Sequence, residues 1–235
     1  MTPLADLLQR QSVWRGGAPA APGAAAVPTG FEALDAELPG GGWPAGGLVE
    51  VFCQGEGIGE LQLVLPALTA LTRAGRRIAW LAPPYLPYAP ALRAAGVRLD
   101  LLTVVRAPGR RDALWAAEQA LRAGAFHAFL AWLPQSHYAE LRRLAVAAQA
   151  GPGFALFFRP GQAACESSPA VLRLALAPAD GRLAVRILKR RGAPVARPLL
   201  LPIGRPLTGR HPDALGRAPF SSAQASGTRA RACVA

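Results

Sequence analysis

Lysine is nearly absent from this sequence of 235 residues, since Lys189 is the only one. A standard phosphate-binding loop places a lysine directly after its glycines, where the ammonium group contacts the terminal phosphates of a nucleotide. No glycine-rich run precedes Lys189. The sequence therefore has no standard phosphate loop, and we expect no nucleotide cofactor and no ATPase or other hydrolase activity.

Cysteine and histidine are also scarce. Cys53, Cys165 and Cys233 are odd in number and far apart, and the three histidines are equally scattered. This spacing fits neither a zinc site nor a disulfide framework, so we expect no bound metal. Cys53 ends a predicted buried strand and is expected to serve only in packing.

Long apolar runs are missing as well. No stretch reaches the roughly 18 uncharged residues that a membrane-spanning helix needs, because Pro66, Pro83 and Pro84 interrupt the longest candidates. The N-terminus has no basic residues followed by an apolar run, as a signal peptide would. We therefore expect a cytoplasmic protein without a membrane partner.

Positive charge is abundant and uneven. The chain carries a net charge of +12, and residues 181–235 hold eleven basic residues against one acidic residue, Asp213. A basic C-terminal region is typical of proteins that contact nucleic acid, which predicts nonspecific DNA contact there. The alternative is an arginine-rich tail that only aids solubility.

Strands and helices alternate through the middle of the chain, which predicts an α/β fold with a largely parallel sheet covered by helices. The predicted strands are 48–52, 77–82, 101–105, 126–133 and 154–158, and the predicted helices are 60–74, 89–95, 112–122 and 136–149. Asp112 and Ser136 are the expected N-caps of the last two helices. The segments 171–177 and 183–188 predict an antiparallel hairpin at the sheet edge. The expected division is an N-terminal helix and linker (1–27), a core domain (28–201) and a basic, disordered tail (202–235).

A glycine-rich turn joins the first of these strands to the first helix. Its residues are Gly55, Glu56, Gly57, Gly59, Glu60 and Leu61. The carboxylate of Glu60 stands where the phosphate-binding lysine belongs and would repel a triphosphate, and Leu61 cannot hold magnesium. We interpret the segment as a degenerate phosphate loop, retained for its turn geometry.

Two runs resemble the RecA recombinase core: Pro28–Asp35, with its Thr-Gly and Leu-Asp pairs, and Gly40–Glu50, a glycine-rich lead into a strand. The resemblance implies a RecA-like core with a twisted sheet flanked by helices and a C-terminal antiparallel hairpin. It also places the family's magnesium-binding acid at about Trp132 and its catalytic glutamate at Pro83 and Pro84, so both groups are missing here.

Within that superfamily the pattern resembles the ImuA family of translesion-synthesis proteins, which is RecA-like and SulA-like. The resemblance implies a non-catalytic accessory role in SOS-induced, mutagenic DNA repair after DNA damage, with an ImuB-like protein and an error-prone replicative-type DNA polymerase as partners. It leaves contact with RecA open. The alternative is a SulA-type inhibitor of cell division, which binds the tubulin-like division protein. The two share a related core, and the basic C-terminal extension favours the first.

Two surfaces are predicted to contact partners. Lys189, Arg190 and Arg191 resemble the basic strand end that reaches a neighbouring subunit's nucleotide in RecA, although an exposed basic strand end is the alternative. Tyr85 and Tyr88 lie among prolines and predict a rigid, exposed loop. Trp14 and Trp115 are expected to pack against the N-terminal helix or in the core, with a partner surface as the alternative.

Overall fold

A computed structural model describes residues 26–55 and 57–203. The predicted N-terminal helix and all of the basic tail beyond Ile203 lie outside this part of the chain. The strands are β1 (Ala26–Val27), β2 (Trp43–Pro44), β3 (Leu48–Cys53), β4 (Ile78–Leu81), β5 (Leu102–Val105), β6 (Ala128–Trp132), β7 (Phe154–Pro160), β8 (Leu172–Ala179), β9 (Arg182–Lys189) and β10 (Leu199–Pro202). The helices are α1 (Glu32–Asp35), α2 (Glu60–Arg73), α3 (Ala89–Ala94), α4 (Arg110–Arg122) and α5 (Tyr138–Ala148), with 3-10 turns at Leu99–Leu101 and Gly161–Cys165.

Eight of the strands form one sheet, in the order β10-β9-β8-β3-β7-β6-β4-β5. The six strands from β8 to β5 are parallel, and β9 alone runs against its neighbours on both sides. The predicted mixed α/β fold with a mostly parallel sheet and a C-terminal antiparallel hairpin is confirmed. Asp180 and Gly181, both with positive φ, form the hairpin turn.

Helices cover both faces of the sheet, because its strands are apolar on both sides. On one face, α2 and α3 bury leucines and valines against Val49, Val51 and Trp80. On the other face, α4 and α5 pack against Leu48, Phe129 and Phe157. Among the described residues, no helix combines the length and the apolar character needed to cross a membrane.

The capping predictions for α4 and α5 are wrong. Gly109 is the N-cap of α4, which places Asp112 in the first turn, where a carboxylate still favours the positive end of the helix dipole. The N-cap of α5 is His137, whose backbone N–H donates to Glu140 at 2.8 Å in a capping box. Ser136 instead donates its hydroxyl hydrogen to the Leu133 carbonyl.

Three short strands lie outside the predicted elements. Ala26–Val27, in the predicted linker, pairs with Trp43–Pro44, and β10 adds a strand beyond the predicted hairpin. Neither β1 nor β2 exceeds two residues, so neither shows the period-2 alternation by which a strand is recognised in a sequence. The outermost position of β10 also explains how Pro202, which lacks a backbone N–H, is tolerated at its end.

The turn before β7 depends on a glycine. A Cβ atom on Gly153 would lie 1.8 Å from the carbonyl oxygen of His127, so any side chain forces the backbone apart. We expect Gly153→Ala to lower the free energy of unfolding by about 1–3 kcal/mol, as overpacking does. The matched control is Gly151→Ala, whose Cβ would lie an ordinary 3.5 Å from its nearest neighbour, the Ala148 carbonyl oxygen. Urea denaturation of both variants tests this, and an equal loss in the two would contradict it.

Candidate functional site

Two of the predicted sites lie at the same end of the sheet, which we call its carboxyl edge. The glycine-rich turn follows β3 and the proline-rich loop follows β4, so both leave the carboxyl ends of parallel strands. Three strand spacings, about 14 Å, separate these strands. In open α/β sheets this edge is where ligands bind. It is therefore the candidate functional site.

The glycine-rich turn has the backbone shape of a loop leading into a helix. Gly57 and Gly59 both adopt positive φ, and Gly59 is the N-cap of α2 without a side-chain cap. Glu60 occupies the first helical position. Its Oε2 atom is buried and accepts no hydrogen bond from the described residues. A carboxylate at this position opposes binding of a phosphate anion. Glu56 falls outside the described residues.

Apolar side chains pack where the turn enters α2, whereas Gly55 and Gly57 face open space. Ile58, Leu61 and Ile203 pack against the same core, and the Cδ1 atom of Ile203 lies 2.8 Å from where a Cβ on Gly59 would be. Ile203 directly follows β10 and thus closes over the turn. At the end of β6, the Trp132 ring stacks on Phe158 with 4.8 Å between centroids. An aromatic ring thus stands where the RecA resemblance puts a magnesium-binding acid.

The reactivity of Cys53 tests whether water reaches the end of β3, just before the glycine-rich turn. Burial, with a smaller contribution from the Glu60 carboxylate, raises the pKa of its thiol to about 12. Because the thiolate is the reactive form, Cys53 should be almost unreactive at pH 8. We expect iodoacetamide followed by peptide mass mapping to label the exposed Cys165 far faster than Cys53 in the folded protein. Urea should abolish the difference, and comparable labelling without urea would show that water reaches Cys53.

The proline-rich loop presents aromatic and aliphatic side chains to solvent. Tyr85, Leu86 and Tyr88 are all more than half exposed, and Leu86 reaches 73%. Ala82, in the left-handed region with φ +48°, turns the chain out of the sheet at the end of β4. The predicted exposure of Tyr85 and Tyr88 is confirmed, and Leu86 between them is a third member that the sequence did not single out.

The basic end of β9 lies at the other end of the sheet, beside the amino ends of the parallel strands. Cys53, at the carboxyl end of β3, aligns with Leu176, which aligns with Val185. Lys189 is four residues further along β9, about 13 Å toward the amino ends of the parallel strands. The structure therefore does not bring Lys189, Arg190 and Arg191 together with the glycine-rich turn.

Lys189 and Arg190, at this end of β9, contact other residues of the same chain. Lys189 donates to the Ser168 carbonyl at 3.1 Å, and Arg190 forms an ion pair with Glu37 at 2.9 Å that ties β9 to the segment after α1. Within the described residues Arg191 is only an exposed cation at the strand end. The predicted role of these three residues in binding a partner stays a prediction.

A buried cluster of charged side chains joins three neighbouring strands of the sheet. Glu50, fully buried in β3, accepts hydrogen bonds from Arg159 at 2.7 Å and from Arg173 at 2.9 Å. Arg159 also contacts Glu166, and Arg173 lies over the Phe52 ring. The sequence held a signal for this cluster, since a glutamate inside an apolar strand buried on both faces requires a charged partner. Glu50, Arg159 and Arg173 lie on β3, β7 and β8. The cluster therefore holds together three neighbouring strands, of which β3 leads into the glycine-rich turn.

Comparison with known proteins points to one family. The family model described as "Cell division inhibitor SulA" matches residues 47–155. A protein of Edwardsiella piscicida named cell division inhibitor SulA is 34% identical over 129 residues, which cover 54% of this chain and 77% of that protein. Proteins of the same name from Yersinia pestis (strain Pestoides F) and Yersinia pseudotuberculosis (strain IP 31758) are 29% identical over 99 residues. Those 99 residues span 42% of this chain and 59% of each Yersinia protein.

These matches overturn the functional prediction made from the sequence. The assignment to translesion synthesis is wrong, and with it the partners predicted for that role: an ImuB-like protein, an error-prone polymerase and RecA. The predicted DNA contact of the basic tail rests on charge alone, and the tail lies outside the described residues. That interpretation used the basic C-terminal extension to choose between two families with related cores, and the matched segment ends before the extension begins. By the extent and identity of these matches, the chain belongs to the SulA family.

Proposed function

We propose that this protein is a cytoplasmic inhibitor of cell division that binds the tubulin-like division protein. Its relatives carry the name cell division inhibitor. The observation that carries the proposal is the proline-rich loop with Tyr85, Leu86 and Tyr88. It is an exposed apolar surface at the ligand-binding edge of the sheet, inside the segment matched by the family model.

The composition of the loop supports a role in protein binding. Tyrosines are enriched among the residues that dominate binding energy at interfaces, because they bury large rigid surfaces at low entropic cost. Pro83, Pro84 and Pro87 restrict the backbone around them, which lowers the entropy lost on binding. Exposed apolar side chains grouped in one loop are typical of sites that bind another protein.

We infer that the protein acts by binding alone and catalyses no reaction. This interpretation treats the domain as a RecA-like core whose phosphate site is lost. Glu60 supports it by placing a negative charge at the start of α2, and Leu61 and Trp132 by offering no magnesium ligand.

Calorimetric titration with magnesium ATP tests this inference. We expect no saturable binding up to about 1 mM, the upper end of usual KM values, and no release of phosphate. Magnesium-dependent saturation would show that other residues replace the missing lysine, and the function would then involve a nucleotide switch.

The proposed partner is tested directly with purified components. The tubulin-like division protein from the same organism is immobilised, and binding of the full chain is followed by biolayer interferometry. We expect a specific, saturable interaction in physiological salt. Absence of binding in both the nucleotide-bound and the nucleotide-free state of the division protein would refute the proposal.

A further inference from the structure

The outer surface of the α4–α5 layer carries a second group of exposed residues, on the face of the sheet opposite to α2 and the core around it. The two helices pack side by side on one face of the sheet. Their solvent side presents Arg111, Trp115 and Arg122 from α4, and Arg142, Arg143 and Val146 from α5. We call this set the α4–α5 face. The expectation that Trp115 packs in the core is wrong, because its side chain is 65% exposed.

Helical geometry explains why Trp115 lies outside. The buried apolar positions of α4 are Ala113, Ala117 and Leu121, which recur every four residues on one side, and Glu118 is buried where α4 meets α5. Trp115 falls on the opposite side, with Arg111 one turn before it and Arg122 two turns after it. Val146 is exposed on α5 in the same way, one turn after Arg142.

A carboxylate holds two of the arginines in place. Glu118 is only 7% exposed, and it forms ion pairs with Arg122, at 2.7 Å, and with Arg143. One acid between the helices thereby fixes guanidinium groups from both of them, while each arginine remains mostly exposed. The result is a preorganised pair of planar donors whose remaining N–H groups face solvent.

The charge of the layer favours an acidic partner. The two helices carry five arginines against Asp112, Glu118 and Glu140, a net charge of +2. Arg110 is neutralised by Glu140 at 2.7 Å. Arg111 and Arg142 have no ion-pair partner among the described residues. Like charge disfavours a second copy of the same face as the occupant.

We propose that the α4–α5 face is a docking surface for an acidic segment of a partner protein, one that carries carboxylates around an apolar side chain. Arginine forks bind carboxylates through paired hydrogen bonds, and Trp115 with Val146 supplies the apolar contact. Nucleic acid fits less well, because the exposed Val146 can pack on an apolar side chain of a peptide but offers no contact to a phosphate backbone. This proposal does not rest on the inhibition of cell division.

The test follows tryptophan indole signals in the full-length, isotope-labelled protein by NMR. The chain has five tryptophans, and Trp115→Phe assigns the signal of interest. The probe is a synthetic peptide in which glutamates surround a stripe of leucines at helical spacing. A second peptide has lysine in place of each glutamate, and a third probe is a mixed-sequence single-stranded oligonucleotide.

The acidic peptide is expected to shift the Trp115 signal and to leave those of the buried Trp43 and Trp80 unchanged. Arg111→Gln with Arg142→Gln should weaken its binding about tenfold, because two exposed guanidinium groups without an ion-pair partner among the described residues can no longer form charge-assisted hydrogen bonds with the peptide. The matched control removes two exposed arginines elsewhere, through Arg182→Gln with Arg186→Gln on β9, and should bind as the parent does.

Three results would overturn the proposal. The first is equal binding of the lysine peptide, and the second is an equal loss in the β9 control. The third is a Trp115 shift with the oligonucleotide and none with the acidic peptide, which would assign the face to nucleic acid. Unchanged Trp43 and Trp80 signals in the variants show that the fold is intact, so a loss of binding reflects the surface.

Discussion

Replacing Glu50 with alanine is expected to lower the free energy of unfolding by about 3–5 kcal/mol, the usual cost of leaving buried charges without their partner. Glu50 is completely buried and neutralises two arginines at once, Arg159 and Arg173. Arg159 is itself only 1% exposed at its side chain, so water cannot replace the lost carboxylate. The measurement is urea unfolding followed by circular dichroism.

Glu166→Ala is the matched control for this prediction. It removes a second carboxylate from the same arginine, also at 2.7 Å, but Glu166 is 55% exposed. Solvent screens such a pair, and we expect a loss below about 1 kcal/mol. If the two variants were equally destabilised, burial would not be what makes the Glu50 cluster important.

Replacing Leu86 with aspartate is expected to weaken binding of the tubulin-like division protein by at least about a hundredfold. Loss of an apolar contact at the centre of an interface, together with burial of an unpaired charge, removes well over 2 kcal/mol of binding energy. Because Leu86 is the most exposed of the large apolar residues described, the fold should tolerate the change. Biolayer interferometry gives the affinity and circular dichroism the integrity of the fold.

Leu200→Asp makes the same chemical change at another exposed leucine, which lies on β10 outside the segment matched by the family model. We expect this variant to bind as the parent does. A similar loss at Leu200, or full affinity in Leu86→Asp, would mean that the proline-rich loop is not the docking surface.

The alternation of apolar strand segments with helical segments was enough to predict the central sheet and its two helical layers, because burial on both faces makes each strand continuously apolar. Short outer strands have no such pattern in the sequence. β10 is four residues long and follows a run containing Gly192, Pro194 and Pro198, so nothing in its pattern separates it from a loop. Yet it completes the sheet and places Ile203 over the glycine-rich turn.

The site was only partly predictable for a related reason. The glycine-rich turn between β3 and α2 and the exposed tyrosines are local features, and the sequence placed both correctly. The Glu50 cluster joins residues more than 100 positions apart, and only the fold brings them together. The exposure of Trp115 depends on which side of α4 meets the sheet, which an alanine-rich helix does not fix strongly.

The most direct test of the proposed function is assembly of the purified tubulin-like division protein with GTP, followed by light scattering and sedimentation. We expect the full chain to suppress polymer formation as its concentration approaches that of the division protein, and Leu86→Asp to have almost no effect. Unchanged polymer in the presence of excess, folded parent protein would contradict division inhibition by direct binding.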